Sequence, residues 1–319
     1  MLSILEILLP IFALILAGYV CRRRNIFGPD AATELNRFVV WLALPALLFD
    51  TMAHASWQQL YQPAFIATFA ASCACAFAVI LAFRLASGLH LADAGIDAIA
   101  ASYPNTAYIG FPLCLALFGS SSLTPATIAT IFVACVLFAV AIVFIEIGLQ
   151  TERQPVRIGA KVLKSLARNP LILSPLAGVL FAAAKIPLPD SIEAPLKLLS
   201  GAACPCALVC LGAFLAGRRP ATADATDAAA PRSALLLAGI KLLVQPGLAW
   251  LLATRVFALP AGLANMTIVL AALPTGTGPF MLAEFYRREA QVASRAILFS
   301  TLGSLLSLSV LLLYVGPRG

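Results

Sequence analysis

Apolar residues fill most of the chain, in long runs separated by short polar or charged segments. A helix that crosses a lipid bilayer needs about 20 mostly apolar residues. We predict ten transmembrane helices, named span 1 to span 10 in chain order. They cover residues 3–21, 35–53, 62–84, 96–118, 125–149, 169–185, 192–216, 233–256, 262–286 and 292–315. The runs are rich in Leu and Ala, without the alternation of membrane β-strands, so the pattern indicates an all-α polytopic membrane protein.

The amino-acid composition agrees with this pattern. Of the 319 residues, 61% are hydrophobic and 11% are charged, and the mean hydropathy is +0.97. A water-soluble domain typically has about 25% charged residues. The composition therefore excludes a soluble fold, and we expect the lipid bilayer to surround most of the chain.

The basic residues lie mostly on one face of the predicted membrane. Sixteen of the 21 Lys and Arg residues fall on the face opposite the termini, four fall on the face of the termini, and Lys241 lies within span 8. Excess positive charge is typical of the cytoplasmic face. We therefore predict a location in the cell inner membrane with both termini outside. The formal net charge of +7 follows from this topology and does not indicate nucleic acid as a partner.

The positions of the prolines indicate an internal repeat. A charged connector at residues 150–168 divides the ten spans into five and five. Three prolines of the first half match three of the second half, 160 to 170 residues later: Pro10 with Pro175, Pro45 with Pro205, and Pro104 with Pro274. An odd number of spans inverts the second unit, so we predict an inverted repeat of residues 1–149 and 169–319, as in secondary transporters. The alternative is coincidental spacing among the 21 prolines.

Spans 4 and 9 contain segments that interrupt a helix. Span 4 has PNT at residues 104–106, and span 9 has PTGTGPF at residues 274–280. Discontinuous helices at matching positions of two repeats indicate a transport site at mid-membrane. The second halves would present free amides and partial positive charge, which suit an anion. The predicted substrate-binding residues are Pro104, Asn105, Thr106, Tyr108, Pro274, Thr275, Gly276, Thr277 and Gly278.

Two charged residues within spans are further candidates. Asp50 in span 2 is either a protonation site that couples transport to H⁺ or a hydrogen-bond partner for a broken neighbouring helix. Lys241 in span 8 either attracts an anion or pairs with Asp50 or Glu284. The alternative for Lys241 is that its long side chain reaches the cytoplasmic interface.

The sequence does not indicate an enzyme or a metal site. It has no HExxH or GxSxG motif and no phosphate-binding loop. The eight cysteines form no CxxC pair, and there are only two histidines. We expect no cofactor other than a coupling ion, which would be Na⁺ or H⁺.

Several segments resemble the auxin efflux carrier family. PNTAYIGFP at residues 104–112 resembles the N-T-x-x-x-G-x-P signature of the family's fourth helix, and AALPTGTGPFMLAEFY at residues 271–286 is similar to its ninth-helix P-T-x-x-N stretch. The segments ILLPIFALILAGYVCRRR, WLALPALLF and KLLVQPGLAWLL also look like the family. The resemblance thus covers nearly the whole chain. One difference is Gly278, which stands where the family usually has Asn.

This resemblance implies ten helices in a 5+5 inverted repeat, in the fold class of bile-acid symporters and related antiporters, with a scaffold and a mobile transport domain. It implies a homodimer that transports organic anions, such as malonate, malate or an auxin-like carboxylate. It assigns Pro104, Asn105, Thr106 and Pro274 to a binding site where spans 4 and 9 cross.

Three functions remain open at this point. The first is export of a small organic anion by alternating access, driven by the membrane potential. The second is uptake coupled to Na⁺ or H⁺ on the same architecture. The third is a membrane sensor or assembly subunit that binds a ligand without transporting it.

Overall fold

The computed structural model describes residues 2–54, 61–150, 160, 163–164, 167–185, 188–216 and 225–315. Side chains at positions 2–8, 11, 108, 112, 225–230 and 315 lie outside this description, as does most of the predicted connector at 150–168. Within the described residues, the regular structure is helical apart from one isolated backbone bridge between Pro104 and Thr275.

Helices occupy all ten predicted spans, and spans 4 and 9 are each divided into two helices. In the described part of the chain we number the helices in order. They are α1 (Leu2–Arg23), α2 (Ala31–Ala53), α3 (Pro63–Ala86), α4 (Leu91–Ala100), α5 (Phe111–Phe118), α6 (residues 123–148), α7 (Pro170–Ala184), α8 (Asp190–Ala216), α9 (residues 225–256), α10 (Ala261–Ala272), α11 (Gly278–Phe285) and α12 (Ala290–Val315). Helices α2, α6 and α9 contain π-helical turns, such as Ile240–Val244 in α9.

Six segments of the described residues are long and apolar enough to cross a membrane. They are Ala31–Ala53, Pro63–Ala86, Leu113–Gly148, Asp190–Ala216, Pro231–Val256 and Ala290–Tyr314. Two further apolar helices, α7 and α10, are shorter. Because a crossing needs about 20 residues, α4, α10 and α11 can each reach only part of the way. The architecture is that of an all-helical membrane protein.

The helices pack in two groups, and each group combines both halves of the chain. In the first group, α1 lies along α8 and α2 lies along α7. In the second group, α4 packs against α3 and α6, while α9 packs against α3, α10 and α12. The first group therefore contains spans 1, 2, 6 and 7, and the second contains spans 3–5 and 8–10. Corresponding spans of the two halves lie in the same group.

Glycines allow the closest helix contact in the first group. A Cβ atom added to Gly18 of α1 would lie 2.0 Å from the Val209 carbonyl oxygen of α8. One added to Gly212 of α8 would lie 1.9 Å from the Ile15 carbonyl oxygen of α1. Close van der Waals packing through small residues drives helix association in lipid. These two glycines hold α1 and α8 backbone to backbone, and a larger side chain at either position would push them apart.

Candidate functional site

Spans 4 and 9 lose their helical structure at prolines. Helix α4 ends at Ala100, and the next helical turn begins at Thr106. Helix α10 ends at Ala272, and α11 begins at Gly278. A proline inside a helix lacks an amide hydrogen and clashes with the carbonyl group of the preceding turn. The breaks coincide with the PNT and PTGTGPF segments.

The two breaks cross and bond to each other through their backbones. The amide of Asn105 donates to the Pro274 carbonyl oxygen at 2.8 Å, and the amide of Gly276 donates to the Tyr103 carbonyl oxygen at 3.0 Å. These reciprocal bonds form the isolated antiparallel bridge. An unsatisfied backbone group in lipid costs several kcal/mol. Each break therefore satisfies backbone groups that the other break exposes.

Thr275 stabilises this crossing with both its side chain and its backbone. Its hydroxyl donates to the Ala100 carbonyl oxygen at 2.9 Å, and its amide donates to Ser300 Oγ of α12 at 3.0 Å. In a continuous helix the Ala100 carbonyl would accept from residue 104, but Pro104 has no amide hydrogen. Thr275 is fully buried, and its hydroxyl replaces the donor that Pro104 lacks.

A cavity of about 730 Å³ lies between the two helix groups and reaches both breaks. Asp50 lines it, and so do six of the predicted substrate-binding residues: Pro104, Asn105, Thr106, Gly276, Thr277 and Gly278. Helices α2, α6 and α8 form most of the remaining wall, and Tyr103, Ala107 and Phe111 complete it. His54 at the end of α2 and Lys197 near the start of α8 also line the cavity, and their side chains are exposed. The cavity therefore opens at that end of the bundle.

The ring of Tyr103 occupies the space beside the second break. A Cβ atom added to Gly276 or to Gly278 would lie 2.9 Å from this ring, and one added to Gly278 would lie 3.0 Å from the Phe138 ring. Interiors are close-packed, so little free volume remains there. Gly278 leaves room for Tyr103, and an Asn at this position would fit only if the ring moved.

The cavity floor combines polar side chains with the beginnings of helices. Asn105, Thr106 and Thr277 line it. Helix α11 begins directly after Thr277, and the π-helical turn that leads into α5 begins at Thr106. Helix beginnings carry unpaired amides and partial positive charge. This floor can hold an anionic group through hydrogen bonds alone.

Titratable side chains lie at the mouth of the cavity. His54 Nδ1 donates to the Asp50 backbone carbonyl oxygen at 2.9 Å, which requires the tautomer with the proton on Nδ1, and it lies 3.1 Å from Asp50 Oδ1. His54 Nε2 lies 3.6 Å from Glu193 Oε1, and Lys197 pairs with Glu193. The mouth therefore connects α2 to α8 through charged groups, and Asp50 is part of this connection.

Four predicted residues lie elsewhere or outside the description. Pro274 and Thr275 belong to the crossing but do not line the cavity. The side chain of Tyr108 lies outside the described residues. Lys241 is fully buried, and its ammonium donates to the Ala271 carbonyl oxygen at 2.7 Å. The alternative that the Lys241 side chain reaches the cytoplasmic interface is therefore wrong, because its hydrogen-bond partner is a helix end inside the second group.

The sequence reasoning missed a row of threonines on α6. Thr124, Thr127 and Thr130 line the cavity, and their spacing of three places them on one helix face. Thr127 donates to the Leu123 carbonyl oxygen at 2.8 Å. Oγ1 of Thr130 is buried without a hydrogen-bond partner among the described residues. This hydroxyl can therefore form a further hydrogen bond beside the cavity. The regular spacing of the three threonines is the sequence signal that could have identified this row.

Two crossed helix breaks beside a cavity between two helix groups define a membrane transport protein. Comparison with known sequences agrees: the chain belongs to the membrane transport protein family, whose pattern matches residues 3–312. This match confirms the resemblance to the auxin efflux carriers. The protein is therefore an integral membrane transporter and not an enzyme.

Some relatives match this chain over nearly their whole length, whereas others match only about half of this chain. A Rhizobium meliloti protein named "Putative malonate transporter" is 30% identical over 313 residues, which cover 98% of this chain and 96% of the relative. An uncharacterized transporter of Methanothermobacter thermautotrophicus is 28% identical over 318 residues, 95% of each chain. Auxin efflux carrier component 1 of Arabidopsis thaliana is 31% identical over 157 residues, 48% of this chain and 24% of the relative.

Proposed function

We propose that this protein carries a small organic anion with a carboxylate group across the membrane by alternating access. The observation that carries the proposal is the cavity that ends on both helix breaks. Its floor offers the Asn105 amide, the hydroxyls of Thr106 and Thr277, and the beginnings of two helical segments. Charge-assisted hydrogen bonds from such groups to a carboxylate are stronger than neutral ones.

Malonate is the first substrate to test, because the Rhizobium relative carries that name. The cavity of about 730 Å³ is larger than a three-carbon dicarboxylate needs. We therefore also propose to test malate and an indole carboxylate of the auxin type. A thermal-shift series with these three anions, and with malonamide as the uncharged control, measures binding directly. Stabilisation by the diamide equal to that by malonate would contradict an anion site.

The proposed topology has ten membrane spans in a 5+5 inverted repeat, made of residues 1–149 and 169–319 joined by the connector at 150–168. Each helix group contains corresponding spans of the two halves, which supports this topology because an inverted repeat pairs equivalent spans. The basic residues support an inner-membrane orientation with both termini outside. We also propose a homodimer, by analogy with the family, as the functional assembly.

In this orientation the cavity opens outward, and aromatic contacts close the cytoplasmic side. The rings of Phe214 in α8 and Phe280 in α11 are 5.0 Å apart, and those of Trp41 in α2 and Phe285 in α11 are 6.2 Å apart. Asn169, at the start of α7, donates to the Tyr286 hydroxyl at 3.4 Å. Each contact joins the first helix group to α11 or the residue after it. Alternating access would break these contacts as the groups move.

Export is the direction that the membrane potential favours for an anion. Moving one charge through the potential changes the free energy by about 2.3 kcal/mol per 100 mV. An inside-negative potential therefore drives an anion out without a coupling ion. We propose potential-driven export as the physiological mode.

Proton-coupled uptake is a second candidate, favoured by the titratable groups at the cavity mouth. Asp50, His54 and Glu193 lie close enough to share a proton with each other or with an entering acid. If Asp50 carries the proton, Asp50→Asn should abolish the pH dependence of flux, while Asp30→Asn, at the end of the bundle away from the cavity, should leave it unchanged. A pH profile of Asp50→Asn equal to that of the unaltered protein would remove Asp50 from the coupling.

Vesicle flux under imposed gradients separates these candidates. Export predicts acceleration by an inside-negative potential, coupled uptake predicts acceleration by an inward Na⁺ or H⁺ gradient, and a sensor predicts binding without flux. Flux that responds to none of these gradients would contradict both transport modes as stated. Flux indistinguishable from empty vesicles, together with ligand binding, would support the sensor instead.

A further inference from the structure

Each helix break leaves carbonyl groups without the amide that normally follows four residues later. In a continuous helix, Ala271 of α10 would receive the amide of Thr275, but that amide donates to Ser300 Oγ. Likewise Ser102, just after α4, would receive the amide of Thr106, but that amide donates to the Pro104 carbonyl oxygen at 2.8 Å. Ala271 and Ser102 therefore each have a carbonyl oxygen that the break deprives of its helical donor, one in each broken span.

Two side chains of α9, one helical turn apart, take the place of these amides. Lys241 Nζ donates to the Ala271 carbonyl oxygen at 2.7 Å, and Gln245 Nε2 donates to the Ser102 carbonyl oxygen at 3.3 Å. Both side chains are fully buried. One face of α9 thus caps a carbonyl group at each of the two breaks. Neither Lys241 nor Gln245 lines the cavity.

The electrostatics of this position favour a cation. The C-terminal end of a helix carries roughly −0.5 of an elementary charge, and the ends of α4 and α10 meet at the crossing. In transporters with broken helices, such ends and unwound carbonyl groups commonly bind Na⁺ or H⁺. Here the ammonium group of Lys241 supplies positive charge at the Ala271 carbonyl, and it is covalently attached to α9.

We propose that Lys241 is a tethered cation that takes the place of a dissociable sodium ion at the crossing, which makes transport independent of Na⁺. A second observation supports a cation-binding environment: Gln245 Oε1 is buried without a hydrogen-bond partner among the described residues. Shortening Lys241 would leave the Ala271 carbonyl oxygen without its donor, beside an emptied space. Oxygen atoms are the ligands that hard cations prefer.

The first test measures the melting temperature of purified protein in detergent, with choline, sodium or methylammonium chloride at equal ionic strength. Lys241→Ala should be less stable than the unaltered protein in choline. Sodium or methylammonium should raise its melting temperature, saturably and by about 3 °C or more. The unaltered protein should not distinguish the three salts. The matched control is Lys164→Ala, an exposed lysine, which should behave as the unaltered protein does.

Two further variants keep this test decisive. Lys241→Arg retains the charge and should remain insensitive to the salt. Lys241→Gln retains a hydrogen-bond donor without the charge, and it replaces Lys241→Ala if that variant does not fold. A neutral variant that is as stable as the unaltered protein, or one that no cation stabilises, would overturn the proposal. Sodium-specific stabilisation of the unaltered protein would overturn it as well.

The second test measures transport and rests on the function proposed above. Malonate flux by the unaltered protein should be equal in sodium and choline buffers, and a loss of about tenfold or more in choline would contradict a tethered cation. The melting experiment needs no substrate. If no carboxylate is transported, the proposed function fails while the stability result still decides the role of Lys241.

Discussion

Asn105 and Gly278 give the two breaks different chemistry. Asn105 lines the cavity with a side chain that can both donate and accept hydrogen bonds. At position 278 the second break offers only backbone, and the Tyr103 ring lies where a side chain would otherwise extend. An anion at this floor would therefore meet the Asn105 amide from the first break, and from the second break only the Thr277 hydroxyl and the helix beginning. The two halves of the site are related in position but not in function.

Gly278→Ala tests the contact with Tyr103. The added Cβ would lie 2.9 Å from that ring, and overpacking of this kind costs about 1–3 kcal/mol. We expect a lower melting temperature and reduced flux, both partly restored by the double variant with Tyr103→Leu. The measurement is a double-mutant cycle on melting temperature. Strictly additive effects of the two substitutions would contradict the contact.

The sequence predicts some of these side chains well because their local context leaves few alternatives. Pro104 and Asn105 interrupt an apolar span, and an interruption at that depth needs hydrogen-bond partners from elsewhere in the fold or from a ligand. Thr275 likewise follows a proline that interrupts an apolar span. Its hydroxyl bonds to Ala100 and its amide bonds to Ser300. Its orientation depends on residues 175 and 25 positions away in the chain, which no local pattern encodes.

Helix α11 and the residue after it make the contacts that join the two helix groups on the side that the proposed orientation makes cytoplasmic. Phe280, Phe285 and Tyr286 meet residues of α8, α2 and α7, respectively. All three contacts join the two helix groups at the end opposite the cavity mouth. Stabilising or weakening them should change the balance between outward-open and inward-open states without altering the cavity floor.

Phe214→Ala should favour the inward-open state, because it removes the ring that packs on Phe280. The probe is Thr130→Cys in a variant without the eight natural cysteines, labelled by an impermeant maleimide from the cytoplasmic side. We expect labelling to accelerate by about threefold or more. Phe181→Ala is the matched control, since Phe181 packs on Phe49 within the first group. Equal acceleration in both variants would contradict a gating role for Phe214.

Hydropathy predicts where the helices lie, but it does not predict how they are grouped. The runs of apolar residues give nearly the same bounds as the observed helices, as for span 3 at 62–84 and α3 at Pro63–Ala86. The pairing of α1 with α8 depends on Gly18 and Gly212, whose backbones touch the facing helix. A lone glycine in an apolar run is common in membrane helices, so its partner appears only in three dimensions.

The protein as a whole combines two long, closely packed helices, α1 and α8, in the first group with a second group that contains the crossing. The α1–α8 contact is backbone to backbone, whereas the second group contains both broken spans and their caps from α9 and α12. Rigid-body movement of one group against the other is a common form of alternating access. The cavity between the groups lies where such movement would change access from one side to the other.

Reporter fusions test the proposed membrane topology. Alkaline phosphatase fused at the C-terminus should be active, because the proposed ten spans and orientation put that end outside. The same enzyme fused after residue 160, in the connector, should be inactive, and a fluorescent protein there should fold. The reverse pattern at the two positions would contradict the orientation, and activity at both would contradict the number of spans.

The most direct test of the central claim is malonate efflux from proteoliposomes under an imposed inside-negative potential. We predict saturable efflux that accelerates with the potential in the unaltered protein. Asn105→Ala should lose about tenfold or more of this rate, with an unchanged melting temperature in the absence of substrate. Asn265→Ala, on α10 and outside the cavity, should retain the full rate. Efflux by Asn105→Ala equal to that of the unaltered protein would contradict a substrate site at the crossed breaks.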